Sequence, residues 1–383
     1  MAERSGDTAF ERLPTSEQPQ SSSEAPHSSF TNTSAFRKRR RHSVLPPQSK
    51  FSAPQGCFKI SSGLVPHGHF TSHWAKLHRL ALLAWLTTWA ACPSLHAQAA
   101  QIGASAPPVI QVSASGYMEL WPGDLPIVIS APHGGDAKPA EYPDRTWGKT
   151  VRDDYTLELA FAIRQAMEKR FGAAPYLVIC RLSRWKVDCN REITEGAQGH
   201  PLAEKAWHEY HAWIDRAEAA VLGKSPRGLY LDIHGHGHPK QRVELGYTIP
   251  YEDLVLSDAE LNEPSHARHS SIRALSKAPT APLFAELLRG PTSFGGLLQA
   301  HGMMAVPAPH EKLAKGDLYF AGGYDVQVHG SRQGGSFDGI QLEFPQIWRD
   351  TQEHREKAAE ILCNAIEKYL KLNAKFRVAP LSK

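Results

Sequence analysis

Residues Leu229–His238 read LYLDIHGHGH, and this stretch decides the fold. Its first half is an apolar run with an aspartate near the end, which indicates a buried strand. Its second half alternates His with Gly, a composition for which a packed element has little use. Imidazoles where a strand ends suit a metal centre or an acid/base site that opens on a cleft. A solvated His-rich turn is the alternative, and other parts of the chain have to decide between the two.

Apolar strands alternate with amphipathic helices on both sides of this stretch. The predicted strands are 126–131, 176–180, 229–233 and 339–344, and the predicted helices are about 156–170, 201–222 and 350–372. This order predicts α/β layering with a largely parallel sheet. Sites in such sheets collect beyond the carboxyl ends of the strands. We therefore expect His133, the polar segment Arg184–Arg191 and His234 at one edge of the sheet.

The basic charge of the chain belongs to its first hundred residues. Residues 1–99 hold 11 Lys/Arg and 5 Asp/Glu, whereas the remaining residues hold 32 and 34. The part that is expected to fold therefore has no bulk positive charge for nucleic acid, and none is predicted as a partner. Residues 1–75 are rich in Ser, Pro, Gln, Thr and His. They are predicted to be a disordered leader, or an extension upstream of the true start.

Residues 76–99 have the composition of a signal peptide. A basic flank precedes the apolar run Leu80–Ala91, and the small residues of Ala97-Gln98-Ala99 follow it. The apolar run is too short to span a bilayer, but it suits the core of a secretory signal. The sequence therefore predicts an exported protein, periplasmic or secreted, without a stable membrane span after cleavage. Residues 100–383 are predicted to be a single catalytic domain with a loop-rich insert at about 252–335.

Two histidines at strand ends and one acidic residue would make a zinc site with an open position for water. Such a site lowers the pKa of the bound water and polarises a carbonyl. It also needs a carboxylate base, and Glu343, set in the apolar strand near the end of the chain, is the best placed. Arg184 and Arg191 are candidates to bind a substrate carboxylate, because guanidinium groups bind carboxylates in a bidentate way.

Five short motifs in order resemble those of the N-formylglutamate amidohydrolase family. They are Pro132-His133-Gly134-Gly135, Asp154-x-x-x-x-Leu159, Arg184-x-x-x-Asp188-x-Asn190-Arg191, Asp232-x-His234-Gly235 and Gln341-Leu342-Glu343. The resemblance covers roughly residues 127–366. It implies a three-layer α/β/α fold with a central mixed, largely parallel sheet, similar to that of the zinc carboxypeptidases.

The resemblance also implies roles for individual residues. One zinc ion per chain would be held by His133, His234 and an acid, Glu343 would act as the base, and Asn190 with Arg191 would grip the substrate. His236 and His238 are expected to line the cleft, and Asp188 and Asp232 to orient the residues around the metal.

The acidic ligand has three candidates. Asp154 is favoured because the acid of the family lies at the start of the helix. The His-x-x-Glu spacing of carboxypeptidases points instead to Asp136, and Asp153 is the third candidate.

The expected function is that of an exported zinc-dependent hydrolase. It would cleave the amide bond of an N-acyl, N-formyl-like amino acid or a small peptide-like substrate that carries a carboxylate. A metallocarboxypeptidase or a peptidoglycan amidase on the same scaffold is the alternative, and a non-catalytic binding protein is a second one.

Overall fold

The computed structural model describes residues 109–373. The predicted leader (1–75) and signal peptide (76–99) lie outside the described residues. Eight strands of the described part form one sheet. They are β1 (Gln111–Val112), β2 (Met118–Trp121), β3 (Ile127–Ala131), β4 (Tyr176–Cys180), β5 (Gly228–His236), β6 (Val243–Gly246), β7 (Ala305–Val306) and β8 (Phe337–Pro345).

The sheet is mixed, with a parallel centre. The strand order is β1-β2-β4-β3-β5-β8-β6-β7. The four central strands, β4, β3, β5 and β8, run parallel to one another. On one side β2 pairs with β4 in the antiparallel sense, and on the other β6 is antiparallel to β8. The predicted sheet is confirmed.

Helices cover both faces of this sheet. The helices are α1 (Thr156–Phe171), α2 (Ile193–Gly196), α3 (Pro201–Leu222), α4 (Tyr251–Leu254), α5 (Asp258–Leu261), α6 (Pro264–His269), α7 (Arg273–Ser276), α8 (Phe284–Arg289), α9 (Phe294–Ala300), α10 (Tyr324–His329) and α11 (Gln352–Leu372). Strand side chains alternate between the faces. Ile127 and Ile129 pack in one core with α1 and α11, whereas Val128 and Tyr230 pack in the other with α3. The predicted three-layer α/β/α fold is confirmed.

Strand β5 is longer than the sequence predicts. It pairs with β8 over nine positions, from Gly228 opposite Phe337 to His236 opposite Pro345. His234 therefore lies inside the strand, whereas the prediction put it just past the strand end. The glycine-rich stretch stays extended because a full-length neighbour satisfies its backbone groups.

Residues 252–335 contain several short helices joined by irregular segments. Seven of the helices, α4 to α10, lie there, and each is four to seven residues long. The short helices predicted near residues 283–288 and 294–301 are present as α8 and α9. Along residues 109–373, no helix has the length and apolar character that crossing a membrane requires.

Candidate metal centre

Three buried side chains meet at the carboxyl edge of the sheet. His133 follows β3, His234 lies in β5, and Asp153 lies in the loop before α1. The Oδ2 atom of Asp153 is 3.5 Å from Nδ1 of His133 and 3.2 Å from Nδ1 of His234. Ligands bound tetrahedrally to zinc at the usual bond lengths are about 3.4 Å apart. These three side chains, called the metal centre below, therefore have the chemistry and the spacing of a zinc site.

A further aspartate holds each imidazole of the metal centre. Asp188 Oδ1 is 2.6 Å from His133 Nε2, and Asp232 Oδ2 is 2.7 Å from His234 Nε2. Both Nδ1 atoms are thereby left to face Asp153. Metal-binding histidines characteristically donate their second ring nitrogen to a carboxylate in this way. His133 Nδ1 is buried and has no hydrogen-bond partner within the described part of the chain, which is what a ligand atom without its ion shows.

The acid at this centre is Asp153, and the favoured prediction, Asp154, lies elsewhere. The Asp154 carboxylate is 58% exposed and forms an ion pair with Arg152 at 2.7 Å. Asp136, the second candidate, is 84% exposed and lies 3.6 Å from Arg152. The structure brings neither carboxylate to His133 or His234, so the third candidate takes the position.

The backbone before α1 explains this choice. The backbone N–H of Asp153 donates to the carbonyl oxygen of His133, and Thr156 Oγ1 donates to the carbonyl oxygen of Asp153. Tyr155 adopts a left-handed conformation, φ 65°, so the chain turns sharply between the loop and the helix. The turn directs Asp153 inward and leaves Asp154 at the surface. A sequence with two adjacent aspartates does not distinguish these outcomes.

The local charges fit a cation. Burial raises the pKa of Asp153, but its contacts with His133 and His234 outweigh burial and hold that pKa well below the ordinary value. Burial alone would also raise the pKa of Asp188. The charges of Arg184 and His133 outweigh burial and hold that pKa well below its usual range. Asp153 and Asp188 are therefore ionised, and they place negative charge beside the imidazoles.

Glu343 lies beside His234 in the neighbouring strand. The two are register partners in β5 and β8, so their side chains emerge on the same face of the sheet. Gln341 Nε2 donates to Glu343 Oε1 at 2.9 Å. Burial raises the pKa of Glu343 to about 8, against the opposing charge of His234. A carboxyl with a pKa near neutrality suits a group that takes up and returns a proton.

Asn190 joins the metal centre to the surrounding loops. Its Nδ2 atom lies 3.1 Å from His234 Nε2 and 3.3 Å from Gln341 Oε1. Its Oδ1 atom accepts the backbone N–H of Asp325 at 2.8 Å. The sequence reasoning gave Gln341 no role, although this amide contacts both Asn190 and the predicted base. The sequence does contain a pattern that indicates such a role. Gln341 lies two positions before Glu343 in a buried strand, so the two side chains share one face of the sheet.

The two predicted substrate arginines have different surroundings. Arg184 is buried, with Nε 2.7 Å from Asp188 Oδ2 and Nη1 3.8 Å from Asp153 Oδ1. It therefore orients carboxylates of the centre. Arg191 is partly exposed, with Nη1 donating to the carbonyl oxygen of Asn190 at 2.8 Å. Of the two, Arg191 is the one whose side chain reaches solvent.

The remaining histidines of the opening stretch are held by hydrogen bonds. His236 Nε2 donates to the carbonyl oxygen of Arg242, and His236 Nδ1 accepts the backbone N–H of His238. His238 Nδ1 is 2.8 Å from Glu244 Oε1. These bonds bind the end of β5 to β6, so both rings belong to the framework beside the centre.

No family model and no curated protein matches the chain. Solved structures do match it. The chain is similar to an N-formylglutamate amidohydrolase. That protein, from Ralstonia eutropha JMP134, is 14% identical, with 68% of this chain and 98% of that chain covered and a TM-score of 0.41. It bears the name of the family that the sequence motifs resemble.

Two further solved structures match at a similar level. An N-acetylmuramyl-L-alanine amidase from Mycobacterium abscessus is 16% identical, with 64% of this chain and 98% of that chain covered and a TM-score of 0.31. A metallo-carboxypeptidase from Pseudomonas aeruginosa is 13% identical, with 71% and 65% covered and a TM-score of 0.32.

Proposed function

We propose that this chain is a zinc-dependent hydrolase that cleaves the amide bond of an N-acyl, N-formyl-like amino acid or a small peptide-like substrate. One observation carries the proposal. Two buried imidazoles, each held at Nε2 by an aspartate, present Nδ1 to a third carboxylate beside a glutamate with a raised pKa. Zinc hydrolases require this combination of three ligands and a nearby base.

His133, Asp153 and His234 would hold one zinc ion. When bound, zinc polarises the amide carbonyl and makes a water molecule a better nucleophile at neutral pH. Glu343 takes a proton from the attacking water and delivers it to the nitrogen of the leaving amine. Gln341, which donates to Glu343 Oε1, keeps that carboxylate in place between the two transfers.

Asn190 and Arg191 would bind the carboxylate of the substrate. Asn190 is buried next to His234, and Arg191 follows it directly and reaches solvent. An amide donor and a guanidinium group at this position would fix one end of the substrate and bring its amide bond to Glu343. The preference for a carboxylate-bearing substrate is part of the proposal.

Substitution of the adjacent residues Asp153 and Asp154 tests which carboxylate binds the metal. Asp153→Asn should remove the zinc of this centre, because it deletes a charged ligand. Asp154→Asn should keep that zinc, because the Asp154 carboxylate points to Arg152 at the surface. Elemental analysis of both variants after gel filtration is the measurement. Equal zinc contents in the two variants would refute the assignment.

Glu343→Gln tests the chemistry. This variant should retain zinc and lose hydrolysis, whereas Glu158→Gln, at an exposed position of α1, should retain both. A panel of formyl-, acetyl- and peptidyl-amino acids and a muropeptide separates the proposed activity from that of a carboxypeptidase or a peptidoglycan amidase. Full turnover by Glu343→Gln would exclude Glu343 as the base. A zinc-loaded wild type that cleaves none of the panel would favour a binding protein.

Export is the second part of the proposal, and it rests on the composition of residues 76–99. A signal peptidase would cleave after the small residues of Ala97-Gln98-Ala99. N-terminal sequencing of the protein from an exporting host should place the mature start at about residue 100. A secreted chain that still carries Arg37–Arg41 would contradict the proposal.

A further inference from the structure

A second group of potential metal ligands lies between α3 and α10. Asp215 and Glu218 come from α3, and His329 is the last residue of α10. His329 Nδ1 is 3.7 Å from Asp215 Oδ1 and 3.5 Å from Glu218 Oε1. These separations are close to the roughly 3.4 Å expected between ligands on a tetrahedral zinc ion. We call these three residues the α3–α10 cluster.

The orientation of the His329 ring follows from its other nitrogen. His211 Nε2 is 3.0 Å from the carbonyl oxygen of Cys189, which can only accept, so His211 Nε2 carries a hydrogen. In the neutral ring His211 Nδ1 is then an acceptor, and it lies 3.0 Å from His329 Nε2. His329 Nε2 is therefore the donor, and Nδ1 of neutral His329 carries a lone pair.

His329 Nδ1 faces carboxylate oxygens of Asp215 and Glu218. Glu218 Oε1 is buried and has no hydrogen-bond partner within residues 109–373. The ring of His329 is itself about 95% buried, so water has little access to its nitrogen. Two carboxylate oxygens and an imidazole nitrogen at these distances require a positive charge between them, which a proton on His329 Nδ1 or a bound cation supplies. The cluster thus has the charge and the geometry of a cation site.

We propose that Asp215, Glu218 and His329 bind a second divalent cation of the zinc type. One imidazole nitrogen with two carboxylate oxygens is a donor set that suits zinc and neighbouring transition metals. His211 plays the part for His329 that Asp188 plays for His133, since it fixes the ring through the nitrogen that does not face the metal. The Asp215 side chain is 71% exposed, so an ion can enter the cluster from that side.

A third group of potential metal ligands in the described part of the chain has its ligand atoms paired by hydrogen bonds. His236, His238 and Glu244 also come close together. Both ring nitrogens of His236 have hydrogen-bond partners, and His238 Nδ1 is paired with Glu244 at 2.8 Å. Glu244 Oε2 accepts the backbone N–H of Phe320. Hydrogen bonds already satisfy this group, so it carries no proposal.

A cation in the α3–α10 cluster would stabilise the walls of the metal centre. Helix α10 begins next to Gly323, whose N–H donates to Gln341 Oε1 at 2.7 Å, and contains Asp325, whose N–H donates to Asn190 Oδ1. The cation would bind the far end of that helix to α3. Its expected role is structural, and it is separate from the ion that the three ligands at the sheet edge would hold.

The experiment is zinc titration of the metal-free chain, with the bound ion counted by elemental analysis. Wild type should bind two equivalents, and Asp153→Asn should bind one. Asp215→Asn and Glu218→Gln should each lose the other equivalent, or weaken it at least about tenfold, since even a residue behind a ligand contributes that much. His208→Gln is the matched control, because His208 is an exposed histidine on α3 outside the cluster.

Several outcomes would overturn the proposal. One is a wild type that binds a single equivalent which Asp153→Asn abolishes. Another is a pair of Asp215 and Glu218 variants that both keep the second equivalent at unchanged affinity. Because the Asp215 side chain is mostly exposed, Asp215→Asn should fold as wild type does, and a circular dichroism spectrum checks this. If Asp153→Asn keeps both ions while the Asp215 variant loses one, the α3–α10 site stands and the proposed catalytic centre fails.

Discussion

Asp188 Oδ1 lies 2.6 Å from His133 Nε2 on the side of the ring away from Asp153. The same carboxylate accepts a hydrogen bond from Arg184 Nε through its second oxygen. Asp188 thereby fixes both the tautomer and the orientation of His133, although it does not face the metal position. An aspartate with this role affects metal affinity without being a ligand.

Asp188→Asn should therefore lower the affinity for zinc by about 10- to 100-fold. The amide keeps the size of the side chain but removes the charge that makes His133 a stronger donor. Competition with a chromogenic chelator measures the affinity. Asp154→Asn serves as the control for the loss of one negative charge nearby, and an equal effect in both variants would contradict the positioning role.

Glu343 makes the stability of the metal-free protein depend on pH. Burial raises its pKa to about 8 from an ordinary value of 4.5, so the folded state keeps a proton that the unfolded state releases. The contribution to stability is complete below pH 4.5 and is lost as the pH rises through 8. The free energy of unfolding should fall by at most roughly 1.4 kcal/mol per pH unit in that window.

Urea unfolding of chelator-treated protein at several pH values measures this slope. Glu343→Gln should flatten it, because the amide does not titrate. A variant with the slope of the wild type would assign the pH dependence to other groups.

A matched pair of glycines tests the packing at the end of β5. A Cβ atom added at Gly235 would lie 2.6 Å from Arg349 Nε and 2.7 Å from Arg349 Cζ. A Cβ atom added at Gly237 meets nothing within 4 Å. Arg349 donates to the carbonyl oxygens of Phe344 and His236, so it cannot move without leaving buried acceptors unpaired.

Gly235→Ala should therefore lower the free energy of unfolding by about 1–3 kcal/mol and weaken zinc binding. Gly237→Ala should change both by less than about 0.5 kcal/mol. Denaturant titration with and without zinc measures the two effects. Equal stabilities of the two variants would show that Arg349 adjusts without cost.

Variants of Arg191 and Arg184 should affect different properties, substrate binding in the first case and metal binding in the second. Arg191→Lys should raise KM for a carboxylate-bearing substrate by about 10- to 100-fold, because a bidentate contact is lost, and should leave zinc affinity unchanged. Arg184→Lys should weaken zinc, because it disturbs Asp188 and Asp153. Steady-state kinetics at saturating zinc, together with metal titrations, distinguish the variants. If Arg191→Lys weakened zinc binding and Arg184→Lys raised KM alone, Arg184 would be the substrate-binding residue.

The sequence predicted the layers and the position of the site better than the details at single residues. Continuous apolar runs predict β3, β4 and β5, and the rule that sites collect at the carboxyl ends of parallel strands then brings His133 and His234 together. That rule uses only the order of elements along the chain. It did not predict that His234 lies inside β5, because the length of that strand depends on β8, more than a hundred residues away.

The sequence alone also could not decide whether Asp153 or Asp154 faces the two histidines. Both residues precede the same helix, and both carry the same side chain. The left-handed conformation at Tyr155 and the hydrogen bond from Asp153 to His133 decide between them. Both are properties of the folded loop, and the residue types at these positions do not specify them.

Strands β5 and β8 pair over nine consecutive positions, with His234 directly opposite Glu343. A proposed metal ligand and the proposed base are thus attached to one hydrogen-bonded ladder, with Cα atoms about 5 Å apart. Their relative position is set when the sheet folds, so no entropy is lost in assembling them when a substrate arrives. The spacing of this pair is therefore a property of the sheet backbone and not of the conformation of residues 252–335.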